Sequence, residues 1–161
     1  MRRKDREVTT KEEIVEIFSK ADACRIAFSV DNVPYIVCLN YGYEWEGETP
    51  VLYFHCAHEG KKLEQMARNN YVCFQLDTEH ELYHREDIVY CTMNYASVVG
   101  MGYLKTVEDE AERIKGLNLL MMHHGHRAPV EYPEGSMRRT TVLRLDVTEY
   151  TAKRKEQKKD G

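Results

Sequence analysis

The sequence lacks the long apolar run of a membrane protein and the paired cysteines of a metal or disulfide scaffold. None of its 161 residues lies in a run near the ~18 apolar residues that a membrane-spanning helix needs. The charged N-terminus is followed by no apolar stretch, so it does not resemble a signal peptide. The five cysteines are widely spaced and form no Cys-x-x-Cys pair. These absences predict a cytoplasmic protein with free thiols and no membrane partner.

An excess of positive charge is also missing, because the formal net charge is −4. Proteins that bind nucleic acid usually carry a basic face, and the basic residues here cluster only near the two ends of the chain. The 11 tyrosines form no stacking stripe for single strands. We therefore expect no nucleic-acid partner, and we predict that residues 152–161 form a disordered basic tail.

Several catalytic signatures are absent as well. The chain has no Gly-x-Gly-x-x-Gly and no nucleophile elbow, and the turn before Lys61 lacks the upstream glycine of a Walker A loop. Histidines occur at 55 and 58 and again at 123, 124 and 126, but no His-Glu-x-x-His or cysteine pair accompanies them. We predict no metal site, and the role of the 123–126 cluster stays open.

Hydrophobic periodicity predicts a mainly β protein with flanking helices. Helical spacing of apolar residues favours helices at 10–21, after Gly60 and at 108–124. Strand patterns occupy residues 24–30, 35–43, 51–56, 71–76, 95–107 and 140–150. We expect residues 44–50 to be a polar hairpin loop and 77–90 a charged surface excursion. The six strands favour a Greek-key-like barrel in a single domain, residues 1–151.

The strand at 35–43 and the turn before Lys61 are the strongest candidates for a binding site. The strand is almost continuously apolar, so one face needs the core and the other needs a ligand or a second subunit. Gly60, Lys61 and Lys62 open a helix, where unpaired N–H groups and two positive charges suit a phosphate. A phosphate beside apolar walls suggests a nucleotide or a flavin. His55 precedes this turn and could donate a proton or hydrogen bond to the ligand.

Six segments, taken in order along the chain, resemble one family of flavoproteins. They are Arg25-Ile-Ala-Phe, Pro34-Tyr-Ile-Val-x-Leu-Asn-Tyr-Gly-Tyr, Leu52-Tyr-Phe-His-x-Ala-x-Glu-Gly-Lys-Lys-Leu, Val72-Cys-Phe-x-Leu-Asp, Ser97-Val-Val-Gly-x-Gly and Arg139-Thr-Thr-Val-Leu-Arg-Leu-Asp-Val. The family is that of the pyridoxamine 5′-phosphate oxidase-like proteins. Within it the chain resembles the 5-nitroimidazole resistance branch.

The resemblance implies a split β-barrel that forms a homodimer with FMN at the subunit interface. It implies that the flavin ring lies along the backbone of Val37, Cys38, Leu39 and Asn40. It places the phosphate at Gly60, Lys61 and Lys62, and Ser97 of the other subunit beside the flavin. His55 would face the cofactor region, and it is the residue that we predict to be catalytic.

The resemblance also implies an oxidoreductase that passes electrons from a nicotinamide cofactor, through FMN, to a small planar acceptor such as a nitroaromatic. The single tryptophan, Trp45, lies early in the chain, so the C-terminal Trp and Arg motif for vitamin B6 substrates is missing. Cys38 and Ala96 depart from the resistance pattern, which often has Pro and a basic residue at these places. The alternatives are a flavin or haem store, with His55 or the 123–126 cluster as axial ligand, and a structural dimer with an empty cleft.

Overall fold

The structure, a computed structural model, describes residues 3–85 and 90–157. A 3-10 turn at Lys4–Arg6 precedes the regular elements. The helices are α1 (Lys11–Lys20), α2 (Lys61–Arg68), α3 (Glu110–His123) and α4 (Glu134–Met137). The strands are β1 (Glu7–Val8), β2 (Cys24–Val30), β3 (Val33–Leu39), β4 (Gly42–Glu46), β5 (Thr49–Cys56), β6 (Tyr71–Arg85), β7 (Tyr90–Thr106) and β8 (Thr141–Lys155).

The strands form one antiparallel sheet in the order β3-β2-β6-β7-β8-β5-β4, and β1 pairs with the end of β8. The predicted fold class, a mainly β split barrel with flanking helices, is confirmed. The number of strands is corrected from six to eight within the described residues. No helix in this part of the chain is long and apolar enough to cross a membrane.

Strand β7 shows how period-2 patterning separates the core from the outer face. Its even-numbered residues from Asn94 to Leu104 are buried, and its odd-numbered residues are exposed or half-buried. Helix α1 covers one side of this core with Ile14, Ile17 and Phe18. Burying each such side chain stabilises the fold by roughly 1.5–3 kcal/mol, so alternation fixes which face of β7 meets the core.

The apolar segment predicted as one strand at 35–43 is two strands. The chain leaves β3 after Leu39 because the Tyr41 hydroxyl donates to the carbonyl oxygens of Phe18 at 2.7 Å and Ala21 at 3.0 Å. These bonds fix residue 41 under the end of α1, and β4 then pairs with β5. The hairpin predicted at 44–50 is present, but its loop is shorter than predicted, because β4 continues to Glu46 and β5 begins at Thr49.

The predicted surface excursion at 77–90 is also wrong where the structure describes it. Strands β6 and β7 continue through it as a hairpin, with Leu82 opposite Met93. A bulge between Thr78 and Glu81 adds one residue to β6 and shifts the alternation of its inward and outward side chains. The sequence of this part of β6 therefore does not show the two-residue period of a regular strand. Residues 86–89 lie outside the described residues.

The basic tail predicted from residue 152 is ordered as far as the structure describes it. Strand β8 runs to Lys155, which pairs with Tyr95, and Ala152 is buried opposite Val98. The Arg154 guanidinium donates to the carboxylates of Glu16 at 2.8 Å and Glu79 at 3.1 Å. These partners are distant in sequence, so the basic composition gave no sign of them. Residues 158–161 lie outside the described residues.

Candidate functional site

One edge of β3 forms the first part of the site. This strand pairs with β2, and its other edge pairs with no strand among residues 3–85 and 90–157. The backbone of Val37, Cys38 and Leu39 lies along this edge, and the side chain of Ile36 beside them is 64% exposed. An unpaired edge presents backbone N–H and C=O groups, so it can hold the polar rim of a flat ligand.

Asn40 follows directly after the edge strand. Its side-chain amide donates to the Asp22 carbonyl oxygen at 3.1 Å. This bond holds the chain at the end of β3, where the backbone turns toward Tyr41. Of the four residues predicted to lie along the flavin ring, the first three are therefore in β3 and Asn40 directly follows this strand.

The start of α2 forms the second part. Gly60 is its N-cap residue, with φ 138° and ψ 161°, a conformation almost restricted to glycine. No side chain caps this end, and nothing lies within 4 Å of the position that a Gly60 Cβ would occupy. The first backbone N–H groups of a helix have no partner within the helix. The helix start thus faces open space with donors for an anion.

The two lysines connect this helix start to two strands. The Lys61 ammonium lies 4.6 Å from the centroid of the Tyr35 ring, so it reaches β3. Burial raises the pKa of the Cys56 thiol, and the charge of the nearby Lys62 opposes that shift. The structure thus brings Lys61 against Tyr35 of β3, with Gly60 and Lys62 on either side of it along the chain.

His55 lies at the end of β5, where it pairs with Val142 and its side chain is exposed. Its neighbour His58 is engaged on both sides. One ring nitrogen contacts the Thr141 hydroxyl at 2.7 Å and the other contacts the Arg138 carbonyl oxygen. Of these two histidines, His55 is the one whose position leaves it open to a ligand.

Ser97 lies on the outer face of β7, opposite Asp77 and Lys153. Strands β2 and β6 separate it from β3. Three strand spacings amount to about 14 Å, so the Ser97 side chain does not reach β3 of its own chain. The structure does not bring Ser97 together with the other predicted site residues within one subunit.

Sequence reasoning missed a polar cluster next to the edge strand. Arg25 pairs with Cys38, and its guanidinium donates to the Gln75 side chain at 3.2 Å and to Asp77. His80 Nε2 lies 2.7 Å from the other oxygen of Asp77. Asp77 is therefore a bonded residue of β6 rather than part of a solvated acidic loop. Alternation along β2 puts Arg25 on the outer face and was the available signal.

Of the 123–126 cluster, His123 packs at the end of α3, whereas His124 and His126 are exposed. His123 Nε2 donates to the Ala21 carbonyl oxygen at 2.7 Å, and its ring centroid lies 4.6 Å from that of Tyr41, with the ring planes tilted by 40°. Burial lowers the pKa of His123. His124 packs edge-on against it. Within the described ranges, no group of three or more His, Cys, Asp or Glu side chains could hold a metal ion.

Comparisons with known proteins agree with this architecture. The family model described as pyridoxamine 5′-phosphate oxidase matches residues 10–154. A search of curated proteins found no match.

Solved structures share the fold. A candidate 5-nitroimidazole antibiotic resistance protein from Bacteroides thetaiotaomicron is 29% identical, with a TM-score of 0.79 over 91% of this chain and 85% of that one. A FAD and heme binding protein from Mycobacterium smegmatis is 15% identical, with a TM-score of 0.74 over 97% and 76%. A FAD-binding protein from Mesorhizobium loti is 21% identical, with a TM-score of 0.64 over 92% and 96%. The resemblance inferred from the sequence is confirmed, and this chain belongs to the pyridoxamine 5′-phosphate oxidase family.

Proposed function

We propose that this protein binds FMN between two copies of the chain and is a flavin-dependent oxidoreductase. The observation that carries the proposal is the contact of Lys61 with Tyr35, which joins a cationic helix start to a free strand edge. The similarity to a candidate 5-nitroimidazole resistance protein and to FAD-binding proteins supports the same ligand class.

The helix start provides the phosphate end of the proposed site. Lys61 and Lys62 each bring a full positive charge, and the backbone at Gly60 faces open space. Charge-assisted hydrogen bonds to a phosphate are about twice as strong as neutral ones. The helix dipole adds to the attraction. A phosphate monoester is therefore the ligand group that fits this position.

The edge of β3 provides the ring end. Tyr35, beside Lys61, and Cys38 are three residues apart on one strand, which corresponds to a rise of about 10 Å. This separation suits the ribityl chain that links phosphate and ring in FMN. The backbone from Val37 to Asn40 would then meet the polar rim of the ring. We infer that the ring lies along this edge rather than inside the barrel, whose interior is filled by side chains.

A second copy of the chain would cover the ring and supply Ser97. The outer face of β7 carries an uncharged stripe next to this residue, in which Val99 is 43% exposed and Tyr103 is 49% exposed. Antiparallel sheets commonly keep one face polar and solvated, so an exposed apolar stripe marks an interface. Because Ser97 lies about 14 Å from β3 of its own chain, we propose that it contacts the flavin bound to the partner subunit.

When bound, FMN would supply the redox chemistry between a nicotinamide cofactor and a small planar acceptor such as a nitroaromatic. The chain's own residues bind and orient the ligands. His55 is the residue we assign to proton donation, because its side chain is exposed at the end of β5, a few residues before the phosphate-binding turn. The backbone edge of β3 fixes the ring, and the second subunit excludes water.

Flavin or haem storage without catalysis is the alternative function. The fold is shared with a protein named for binding both FAD and heme. Of the histidines proposed as axial ligands, His123 is held by the Ala21 carbonyl oxygen, which leaves His55 as the more open candidate. A haem spectrum that disappears in His55→Ala would favour this alternative.

Titration of FMN into the double variant Lys61→Ala, Lys62→Ala tests the proposed site. Losing two charge-assisted contacts should weaken binding by at least ~3 kcal/mol, roughly a hundredfold in Kd. The matched control is Lys11→Ala with Lys115→Ala, which removes the same charge where the lysines pair with Glu48 and Glu44. Equal FMN affinity in both double variants would remove the α2 start from the site.

A further inference from the structure

The hairpin formed by residues 81–85 and 90–94, here called the β6–β7 arm, extends beyond the rest of the sheet. Within the described ranges the β-ladder pairing of this hairpin is between its own two strands, because β2 pairs with β6 no further than Leu76 and β8 pairs with β7 no further than Tyr95. A two-stranded ribbon is marginally stable on its own. The arm therefore needs packing on both of its faces.

The inner face of the arm has that packing from its own chain. The Asn94 side-chain amide donates to the Gln157 carbonyl oxygen at 3.2 Å, and the Gln157 backbone N–H donates back at 2.8 Å. The Lys155 ammonium contacts the Thr92 hydroxyl, and Tyr83 is 5% exposed. The end of β8 thus clamps the inner face and holds the arm in place.

Among residues 3–85 and 90–157, no comparable contact covers the outer face. Leu82 and Met93 are directly opposite each other across the two strands, and they are 58% and 47% exposed. Leu82 and Met93 side chains placed side by side form an apolar patch rather than scattered single residues.

The patch continues the stripe that we assign to the subunit interface. The bulge at Thr78/Glu81 adds its residue to β6, so alternation along β7 is unbroken from Met93 to Tyr103. Its outer side chains are Met93, Tyr95, Ser97, Val99, Met101 and Tyr103. None of these side chains carries a formal charge. A two-fold dimer sets one surface against its own copy, where like charges would oppose each other, so an uncharged stripe suits a second copy of this chain.

We propose that the β6–β7 arm packs on a second copy of this chain, where its Leu82–Met93 pair closes one end of the flavin cleft. The inference rests on the proposed function, because it takes Ser97 as the residue that meets the partner's flavin. Met93 lies four positions before Ser97 on β7, a rise of about 13 Å. The pair therefore lies just beyond the ring contact, where it forms an apolar wall that favours uncharged aromatic acceptors.

The test is the double variant Leu82→Glu, Met93→Glu. Its matched control is Ile114→Glu, Met122→Glu, which adds the same charge at α3 residues that are 36% and 55% exposed. Light scattering over a dilution series gives the dimer dissociation constant, and iodide quenching of flavin fluorescence gives access to the cleft. We expect at least a tenfold weaker dimer and stronger quenching in the arm variant, with the control unchanged from the wild type.

The uncharged double variant Leu82→Gln, Met93→Gln is used if the glutamate variant does not fold. It should also raise the dimer dissociation constant. In the wild type, hydrogen exchange at 81–85 and 90–94 should speed up on dilution. A monomeric wild type, or arm variants with unchanged dimerisation and quenching, would overturn the proposal. A dimeric wild type that takes up no FMN would overturn the proposed function and, with it, the closure of the flavin cleft by the arm. In that case, weaker dimerisation of the arm variant would still support the packing of the arm on a second copy.

Discussion

The Lys61 ammonium lies over the ring of Tyr35, 4.6 Å from its centroid. This contact joins α2 to the free edge of β3, and so joins the two halves of the proposed cofactor site. A cation over an aromatic ring is worth about 0.5–1 kcal/mol at an exposed position. The contact is therefore a weak one that can position the lysine and still leave it available to a phosphate.

Removing the Tyr35 ring should loosen Lys61 and weaken FMN binding modestly. We expect Tyr35→Leu to raise the Kd for FMN about two- to fivefold, the size of one cation–π contact. Tyr35→Phe keeps the ring and should bind as the wild type does. Fluorescence titration measures both, and equal affinities for the two variants would show that the contact has no part in binding.

Gly60→Ala should destabilise the protein and weaken FMN binding together. The φ of 138° and ψ of 161° belong to a region that is essentially restricted to glycine, so alanine costs about 1–3 kcal/mol. Gly135→Ala is the control, since Gly135 has open space around it and no positive φ. Urea denaturation gives the free energies of unfolding. Equal stability of the two variants would contradict the backbone argument.

His123 should make stability depend on pH below neutrality. Burial lowers its pKa in the folded protein, so the unfolded chain binds the proton more readily. Stability from this group is complete above the ordinary histidine pKa of about 6.5 and is lost as the pH falls through the lower folded value. In His123→Gln, the free energy of unfolding should fall less between pH 7.5 and pH 5. An unchanged pH dependence would exclude His123 as its source.

Truncation after Thr151 should destabilise the fold, whereas truncation after Gln157 should not. The first removes buried Ala152 and the Arg154 ion pairs with Glu16 and Glu79. Several backbone hydrogen bonds of about 1 kcal/mol each go with them, so we expect a loss of more than ~2 kcal/mol. Thermal denaturation of both truncated chains checks this. Equal melting temperatures of the two chains would support the sequence prediction of a disordered tail from residue 152.

The sequence was a good guide where periodicity was local. Helix α1, strand β2 and the alternating part of β8 follow their apolar spacing, and the order of short motifs identified the family. The sequence misled where contacts between residues far apart along the chain decide the path of the backbone. The break at Asn40–Tyr41 depends on carbonyl groups of α1, and the end of β8 depends on Glu16 and Glu79.

Within the candidate site, the sequence signal is most local at the proposed phosphate end. A glycine followed by two lysines at a helix start is a local signal. The hydrogen bond from Arg25 to Asp77 forms because β2 and β6 are adjacent in the sheet. The distance of Ser97 from β3 depends on the order of the strands. Neither relationship follows from residue spacing along the chain.

The proposed flavin site is tested most directly by the visible absorption spectrum of freshly purified protein, followed by mass analysis of what heat releases from it. The account predicts the two-band spectrum of a flavin and the release of FMN. A colourless protein that also fails to take up added FMN would contradict the account.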